Sequence, residues 1–173
     1  MTHSRTALDQ NAIAALRIMF NELGSEWVKI KSFELHKPEF AEIFPTTWDD
    51  LVDNGWLHPY EGRLSPLYSL TGSGWIAALK LVGQWDSDEL KKNAADLSAT
   101  LKRYVEKRKT DVQVTVAQVT TESGLEENWI RNAIESHLIR ELFHQIDAEW
   151  DPGDPTFNNH ILIPRRFGHK LNQ

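Results

Sequence analysis

The sequence predicts a mainly helical α+β protein built from two similar units that a long helix joins. Apolar residues recur at three- and four-residue spacing in several segments, which is typical of amphipathic helices. Two short β-hairpin signals, one in each half of the chain, supply the strands. A capped stretch from residue 86 to about residue 107 is long enough for the joining helix. A chain of 173 residues can form two small domains, which we place at 1–85 and 86–173.

The first half opens with a predicted helix over residues 8–23. Its inner face is formed by Ile13, Leu16, Phe20 and Leu23. Asp9 is suited to cap this helix, and Gly24 is suited to end it. Residues 26–31 alternate like a short strand, and a short helical piece over 32–40 follows.

A second helix is predicted after Pro45, with Thr46 or Thr47 as its cap, ending near Asn54 and Gly55. A hairpin follows, with arms at 56–60 and 67–70 and a turn at 61–66. Thr71 then caps a further helix, whose apolar side is formed by Trp75, Ile76, Leu79 and Val82.

This order of helix, strand, two helices, hairpin and helix resembles the winged-helix superfamily, in which a β-hairpin "wing" follows a helix-turn-helix. Two stretches carry the resemblance, DLVDNGWL at Asp50–Leu57 and YSLTGSG at Tyr68–Gly74. They look like the end of a recognition helix with the first wing strand, and like the closing Leu-Thr-x-x-Gly of many bacterial winged-helix regulators. The resemblance covers the first half of the chain and implies small hairpin wings.

The joining helix opens at Asp86–Glu89, where Asp86 and Glu89 have capping-box spacing, and is expected to reach Lys107. Its apolar stripe has a near-heptad spacing and consists of Leu90, Ala94, Leu97, Leu101, Tyr104 and Val105. Such a narrow stripe can pack on its own domain, on the other domain or on a second chain.

The second half is predicted to repeat the plan of the first. The elements expected are a strand at 112–114, helices at 115–121 and 126–142, a turn at 122–125, and a second wing with arms at 143–150 and 159–164. Residues 116–139 also resemble a helix-turn-helix, with Gly124 in the turn. The two winged-helix-like units are therefore expected to stand in tandem.

The charged side chains of the two predicted recognition helices indicate which of them could contact DNA. The formal net charge is −6, and a first-half recognition helix with Asp49, Asp50 and Asp53 would repel phosphates. The helix predicted at 126–142 is better suited, because Asn128, Arg131 and Asn132, with Glu135, share its polar side and because Asn and Arg can bind base edges. Two basic groups could add a phosphate-binding strip if they converge: Lys102, Arg103, Lys107, Arg108 and Lys109 in one, and Arg165, Arg166 and Lys170 in the other. The simpler interpretation of the first group is a solvated helix end.

We therefore hypothesise a cytoplasmic DNA-binding protein of the bacterial transcriptional-regulator type. The second unit would bind double-stranded DNA with those two asparagines, Arg131 and the basic groups, and the first unit would serve dimerisation or partner contact. The alternative is a protein-interaction module in a larger assembly, since a fold does not fix a function. The acidic first recognition helix and the seven tryptophans favour this alternative.

Several classes of function lack their sequence signals. The chain has no cysteine, which excludes disulfides and thiolate chemistry, and it has no apolar run of the roughly 20 residues that cross a bilayer. Phosphate-loop, dinucleotide, nucleophile-elbow and zinc-protease motifs are absent, so we predict neither an enzyme nor a cofactor. We interpret His137, Glu141 and His144 as ordinary helix residues, and the acidic stretch from Asp147 to Asp154 as a wing turn, and predict no metal site.

Overall fold

The computed structural model describes Ile13, Leu16, Arg17, Phe20 and residues 45–60, 67–154, 156 and 159–171. The predicted cap at Asp9, the end at Gly24, the strand at 26–31, the helix at 32–40 and the turn at 61–66 lie outside these residues. The fold mixes helices with small antiparallel sheets, which confirms the α+β class. The chain divides into two compact units between Val82 and Gly83. None of the described helices has the length and apolar composition needed to cross a membrane.

In the first unit, a hairpin lies between two helices, as predicted. The elements are α1 (Pro45–Asp53), β1 (Leu57–Tyr60), β2 (Leu67–Leu70) and α2 (Gly72–Leu81). The two strands are antiparallel, with Leu57 opposite Leu70. The expected threonine cap of α1 is wrong, because the helix already begins at Pro45, where a fixed φ suits the first turn. The core of this unit contains Leu16, Leu51, Leu57, Leu70 and Ala78.

Thr71 caps α2, as predicted. Its side chain accepts a hydrogen bond from the Gly74 N–H at 2.9 Å and donates one to the Gly55 carbonyl at 2.6 Å. Gly74 is required at this position because a Cβ there would overlap the carbonyl of Trp56. The start of α2 can therefore lie directly against the start of the hairpin.

The second unit holds its helices against a three-stranded sheet. Its elements are α3 (Asp88–Val105), β3 (Val112–Thr115), α4 (Val116–Ser123), α5 (Glu127–Glu135), α6 (Leu138–Phe143), β4 (Glu149–Trp150) and β5 (His160–Ile163). The strand order is β3-β5-β4 and both pairs are antiparallel. The pairing of β3 with β5 runs from Val112 opposite Ile163 to Thr115 opposite His160. These two pairs mark the two ends of the sheet.

The predicted stripe of α3 is confirmed, but its predicted cap is not. Leu90, Ala94, Leu97, Leu101 and Val105 are buried, so these members of the stripe pack inside the unit. The sixth member, Tyr104, is half-buried and donates its hydroxyl to Glu122 at 2.6 Å. The cap is Ser87 rather than Asp86, since the Ser87 hydroxyl accepts from the Leu90 N–H at 3.2 Å. The helix ends at Val105, two residues before the predicted end.

The turn around α4 follows its sequence signals. Thr115 and Gln118 form a reciprocal capping box at its start. Gly124 ends the helix in the left-handed region, with φ of +71°. The following helix, α5, therefore starts close behind α4 and packs on it.

The single helix predicted at 126–142 is wrong, because it is two helices. α5 ends at Glu135, and His137 adopts a left-handed conformation with φ of +54° before α6 begins at Leu138. His144, with φ of +51°, ends α6 in the same way. The first arm of the second wing is consequently shorter than predicted, since Phe143 is still helical and β4 contains only Glu149 and Trp150.

Candidate nucleic-acid interface

Both basic groups lie at the same end of the three-stranded sheet. Because Val112 is opposite Ile163, the segment that enters β3 and the segment that leaves β5 meet there. We call residues 102–111 and 164–171 together the basic end. All eight of its lysine and arginine side chains belong to exposed residues: Lys102, Arg103, Lys107, Arg108, Lys109, Arg165, Arg166 and Lys170.

A buried aromatic residue anchors the C-terminal part of this end. Phe167 is 4% exposed, and its N–H donates to the Pro164 carbonyl at 2.8 Å, which closes a tight turn. The Asp111 carboxylate accepts from the Arg165 N–H at 2.8 Å and so ties this turn to the segment before β3. Gly168 follows at φ of +84°, with the Lys102 stem beside it. Arg165 and Arg166 therefore project from a fixed turn.

Backbone pairing holds the residues that follow. Lys170 forms an isolated antiparallel bridge with Gln145. The Ile146 N–H donates to the His169 carbonyl at 3.0 Å, and the Leu171 N–H donates to the His144 carbonyl at 2.9 Å. Lys170 is thus held at the same end of the unit as Lys102.

The basic end is strongly cationic within an acidic protein. Its two segments contain eight cations and two acids, Glu106 and Asp111, whereas the whole chain has a net charge of −6. Asp111 is engaged with the backbone of Arg165. A concentration of like charge on exposed side chains produces a local positive potential that attracts anions despite the overall charge.

The predicted base-reading residues are placed differently from expectation. Asn132 is only 1% exposed, so the prediction that it offers its amide to a base edge is wrong. α5 packs against α4, α6 and β4, so the buried part of its surface extends beyond its apolar residues. Asn128 is half-buried near the start of the helix.

Arg131 is already engaged within the protein. Its guanidinium donates from Nε (2.9 Å) and Nη2 (2.7 Å) to Glu127 Oε1, and from Nη2 to Asn159 Oδ1 at 2.7 Å. It also lies 6.0 Å from the ring centre of Trp150, whose indole N–H donates to Glu135 at 2.7 Å. The Arg131 side chain is 13% exposed, so its charge serves to join α5 to β4 and to the segment before β5.

This region forms the other end of the sheet, and it is acidic. We call residues 126–135, 149–154, 156 and 159–160 the acidic end; it contains six acids and a single lysine or arginine, Arg131. Arg131 reaches Asn159, which adjoins His160 opposite Thr115, whereas the basic end adjoins Val112. Four strand residues, about 10 Å, separate the two ends. The two basic groups therefore lie at one end of the sheet. That end is not beside α5, so the expectation that they gather beside the predicted reading residues is wrong.

Asp154 organises the loop at the acidic end. Its side chain is 1% exposed, and its Oδ2 accepts from the backbone N–H groups of Asn159 and His160 at 2.9 Å each. Burial alone would raise the pKa of this carboxyl, but the hydrogen bonds from Thr156, His160 and Asn159 outweigh burial and hold the pKa well below its usual range. This carboxylate is an internal support for the loop.

A second buried aspartate behaves in the opposite way. The Asp147 side chain is 5% exposed, and its Oδ2 lies 3.4 Å from His137 Nδ1. Burial raises the pKa of Asp147 above its usual range, although His137 and the Ala148 N–H act to lower it. Within the part of the chain that the structure describes, no three histidine, aspartate or glutamate side chains are grouped to hold a metal ion.

No family model, no curated protein and no solved structure matches this chain. The assignment of the interface therefore depends on its own geometry.

Sequence reasoning missed the residues that build the basic end. Phe167 and Gly168 follow the Arg165–Arg166 pair, and an aromatic residue with a glycine in a polar tail is a local signal for an anchored turn. The contacts of Lys102 with Gly168 and of Asp111 with Arg165 join segments more than fifty residues apart. No local pattern encodes them.

Proposed function

We propose that this chain is a cytoplasmic, non-enzymatic protein of two tandem winged-helix units, and that the second unit binds the phosphate backbone of double-stranded DNA through its basic end. The winged-helix resemblance of the first half rests on the order helix, strand, two helices and hairpin. The same order recurs over residues 88–163, with one further short helix, α6. This recurrence supports the winged-helix proposal for the second unit.

The convergence of eight exposed cations on one end of the sheet carries the DNA proposal. Each lysine or arginine that neutralises a phosphate releases condensed counterions, and this release drives binding that does not depend on base sequence. Two of the three predicted readers of base edges do not contribute, since Asn132 is buried and Arg131 is bound to Glu127 and Asn159. The proposed binding is therefore by backbone contact and is strongly weakened by salt.

The test is a fluorescence-anisotropy titration of the whole protein with a labelled mixed-sequence duplex. At about 50 mM salt we expect micromolar binding, and six phosphate contacts would weaken it roughly a thousandfold by about 200 mM salt. Absence of binding at about 50 mM salt would contradict the proposal.

A pair of charge-reversal variants locates the contact. The double variant R165E/R166E is expected to lose at least tenfold in affinity, because these two side chains project from the anchored turn. The matched control is K91E/K92E, which changes the net charge equally and lies about 16 Å from Lys102 along α3. Lys91 and Lys92 are exposed and pair only with Asp86 and Asp96 among the described residues, so their reversal costs little stability. Equal losses in both variants would contradict a local interface.

The protein-interaction alternative also has an observation in its favour. Asp49, Asp50 and Asp53 are exposed on α1, and the acidic end of the second unit carries only one base, which is internally paired. Such surfaces repel phosphates and suit cationic protein partners. A failed DNA titration would leave this function as the one supported.

A further inference from the structure

A groove opens beside the basic end. It has a volume of about 290 Å³. One wall is the outer face of α3, and the other comes from the end of α6 and the segments after α6 and β5. Its lining residues are Ala95, Ser98, Ala99, Lys102, Phe143, Gln145 and Gly168.

The groove combines an apolar surface with polar groups at its edges. Ala95, Ala99 and the Phe143 ring are apolar. The Ser98 hydroxyl lies 3.4 Å from the amide oxygen of Gln145 and donates to it, which leaves the Gln145 amide N–H groups available to an acceptor. A ligand that is partly apolar and carries hydrogen-bond acceptors at its edge would match these groups.

Lys102 connects the groove to the cations of the basic end. A Cβ at Gly168 would lie 3.7 Å from Lys102 Cδ, so the stem of the lysine crosses the Gly168 backbone at the rim of the groove. Lys102 both lines the groove and belongs to the basic end. An anionic group on the ligand would therefore lie beside the rim while its apolar part entered the groove.

We propose that this groove accepts one unpaired nucleobase, so that the basic end binds single-stranded nucleic acid more tightly than duplex. This inference rests on the proposed function, since it assigns the phosphates to the same cations. An unpaired base offers a planar apolar face, acceptors at its edge and an attached phosphate, which together match Phe143, Gln145 and Lys102. Bases inside a duplex are stacked and paired and cannot enter the groove.

The experiment compares a labelled mixed-sequence DNA strand with the duplex of the same length. We expect the wild-type protein to bind the strand about tenfold more tightly, because stacking of a single base on an aromatic side chain contributes that order of affinity. Wild-type binding to strand and duplex with equal affinity would overturn the inference.

The substitution A99L then fills the groove without a change of charge. Ala99 is exposed on α3 and leucine is a good helix former, so the helix tolerates the change. We expect A99L to reduce the affinity for the strand to that for the duplex, while its duplex affinity stays within twofold of wild type. The matched control is A117L, at an exposed alanine of α4, which should keep the preference for the strand.

The outcomes separate this inference from the proposed function. If A99L keeps the full preference for the strand, the groove does not hold a base, and R165E/R166E still reports on duplex binding. If neither strand nor duplex binds at about 50 mM salt, both proposals fail together.

Discussion

The two ends of the small sheet in the second unit carry opposite charge, although the same strand pair, β3 and β5, connects them. At the basic end, eight exposed cations project from a segment before β3 and a turn after β5. At the acidic end, the single cation Arg131 is bound by Glu127 and Asn159. The comparison shows that a cation is available to a ligand only where the protein has not already paired it. Residue type alone does not distinguish the two cases.

The ends also differ in what holds them. An apolar anchor, Phe167, fixes the turn at the basic end, where Arg165 and Arg166 remain exposed. Polar networks hold the acidic end, through Arg131 on α5 and through Asp154 in the loop. Substitution of the exposed cations at the basic end should therefore lower affinity with little loss of stability. Substitution of the internally bonded polar groups at the acidic end should lower stability with little loss of affinity.

The largest effect is expected from F167A. Removal of a buried phenylalanine loses transfer free energy and leaves a cavity, so the free energy of unfolding should fall by about 3 kcal/mol. Urea denaturation of the full chain measures this loss. A decrease of less than about 1 kcal/mol in the free energy of unfolding would mean that this ring does not anchor the turn. Since the turn carries Arg165 and Arg166, duplex affinity should fall in the same variant.

A smaller effect, confined to stability, is expected from R131A. The variant loses the hydrogen bonds to Glu127 and Asn159, and solvent around the half-exposed Glu127 limits the cost to about 1 kcal/mol. Duplex affinity should remain within about twofold of wild type, because this arginine already has internal partners. An affinity loss as large as that of R165E/R166E would instead place the DNA contact at the acidic end.

The two buried aspartates, Asp154 and Asp147, are expected to contribute to the stability of the fold with opposite dependence on pH. The pKa of Asp154 is lowered in the fold, so its carboxylate stabilises the fold above the unfolded-state pKa of about 3.9, and this stability is lost as the pH falls through the folded-state pKa. The pKa of Asp147 is raised, so its contribution is fully present below the unfolded-state pKa and is lost as the pH rises through the folded-state pKa.

At neutral pH the two asparagine variants should therefore change the melting temperature in opposite directions. D154N replaces an acceptor of backbone N–H groups with a donor and should lower it, whereas D147N removes a buried charge and should raise it. Thermal unfolding at pH 7 and near pH 4 measures both variants. A decrease for D147N at pH 7 would show that the His137 pairing outweighs burial.

The smallest effect is expected from E149K. Glu149 is exposed in β4, opposite Leu162 in the middle of the sheet, and its reversal changes the local charge by +2. With the contact at the basic end, duplex affinity should rise by no more than about twofold, through the long-range field alone. A rise of about tenfold would show that DNA lies against β4.

Local chemistry accounts for the parts of the fold that the sequence predicted. The cap at Thr71 and the turn at Gly124 each involve residues within four positions of one another. The hairpin of β1 and β2 and the buried stripe of α3 follow from period-two and helical spacing. Such signals need no tertiary information.

The errors arise where tertiary packing overrides local pattern. Apolar spacing continues through Leu138 and Leu142, and neither Ser136 nor His137 is a strong helix breaker, so nothing local marks the break after α5. Asn132 is a polar residue, but it is buried because α4, α6 and β4 pack around α5. The position of the basic groups was set by strand register, which is a non-local property.

The most direct test of the account is a map of the DNA contact by NMR chemical-shift perturbation on the full chain with a mixed-sequence duplex at low salt. We expect the perturbed amides to cluster in residues 102–111 and 164–171, with little change over 127–135 and 149–154. Perturbations centred on α5 and β4, with residues 164–171 unchanged, would contradict it.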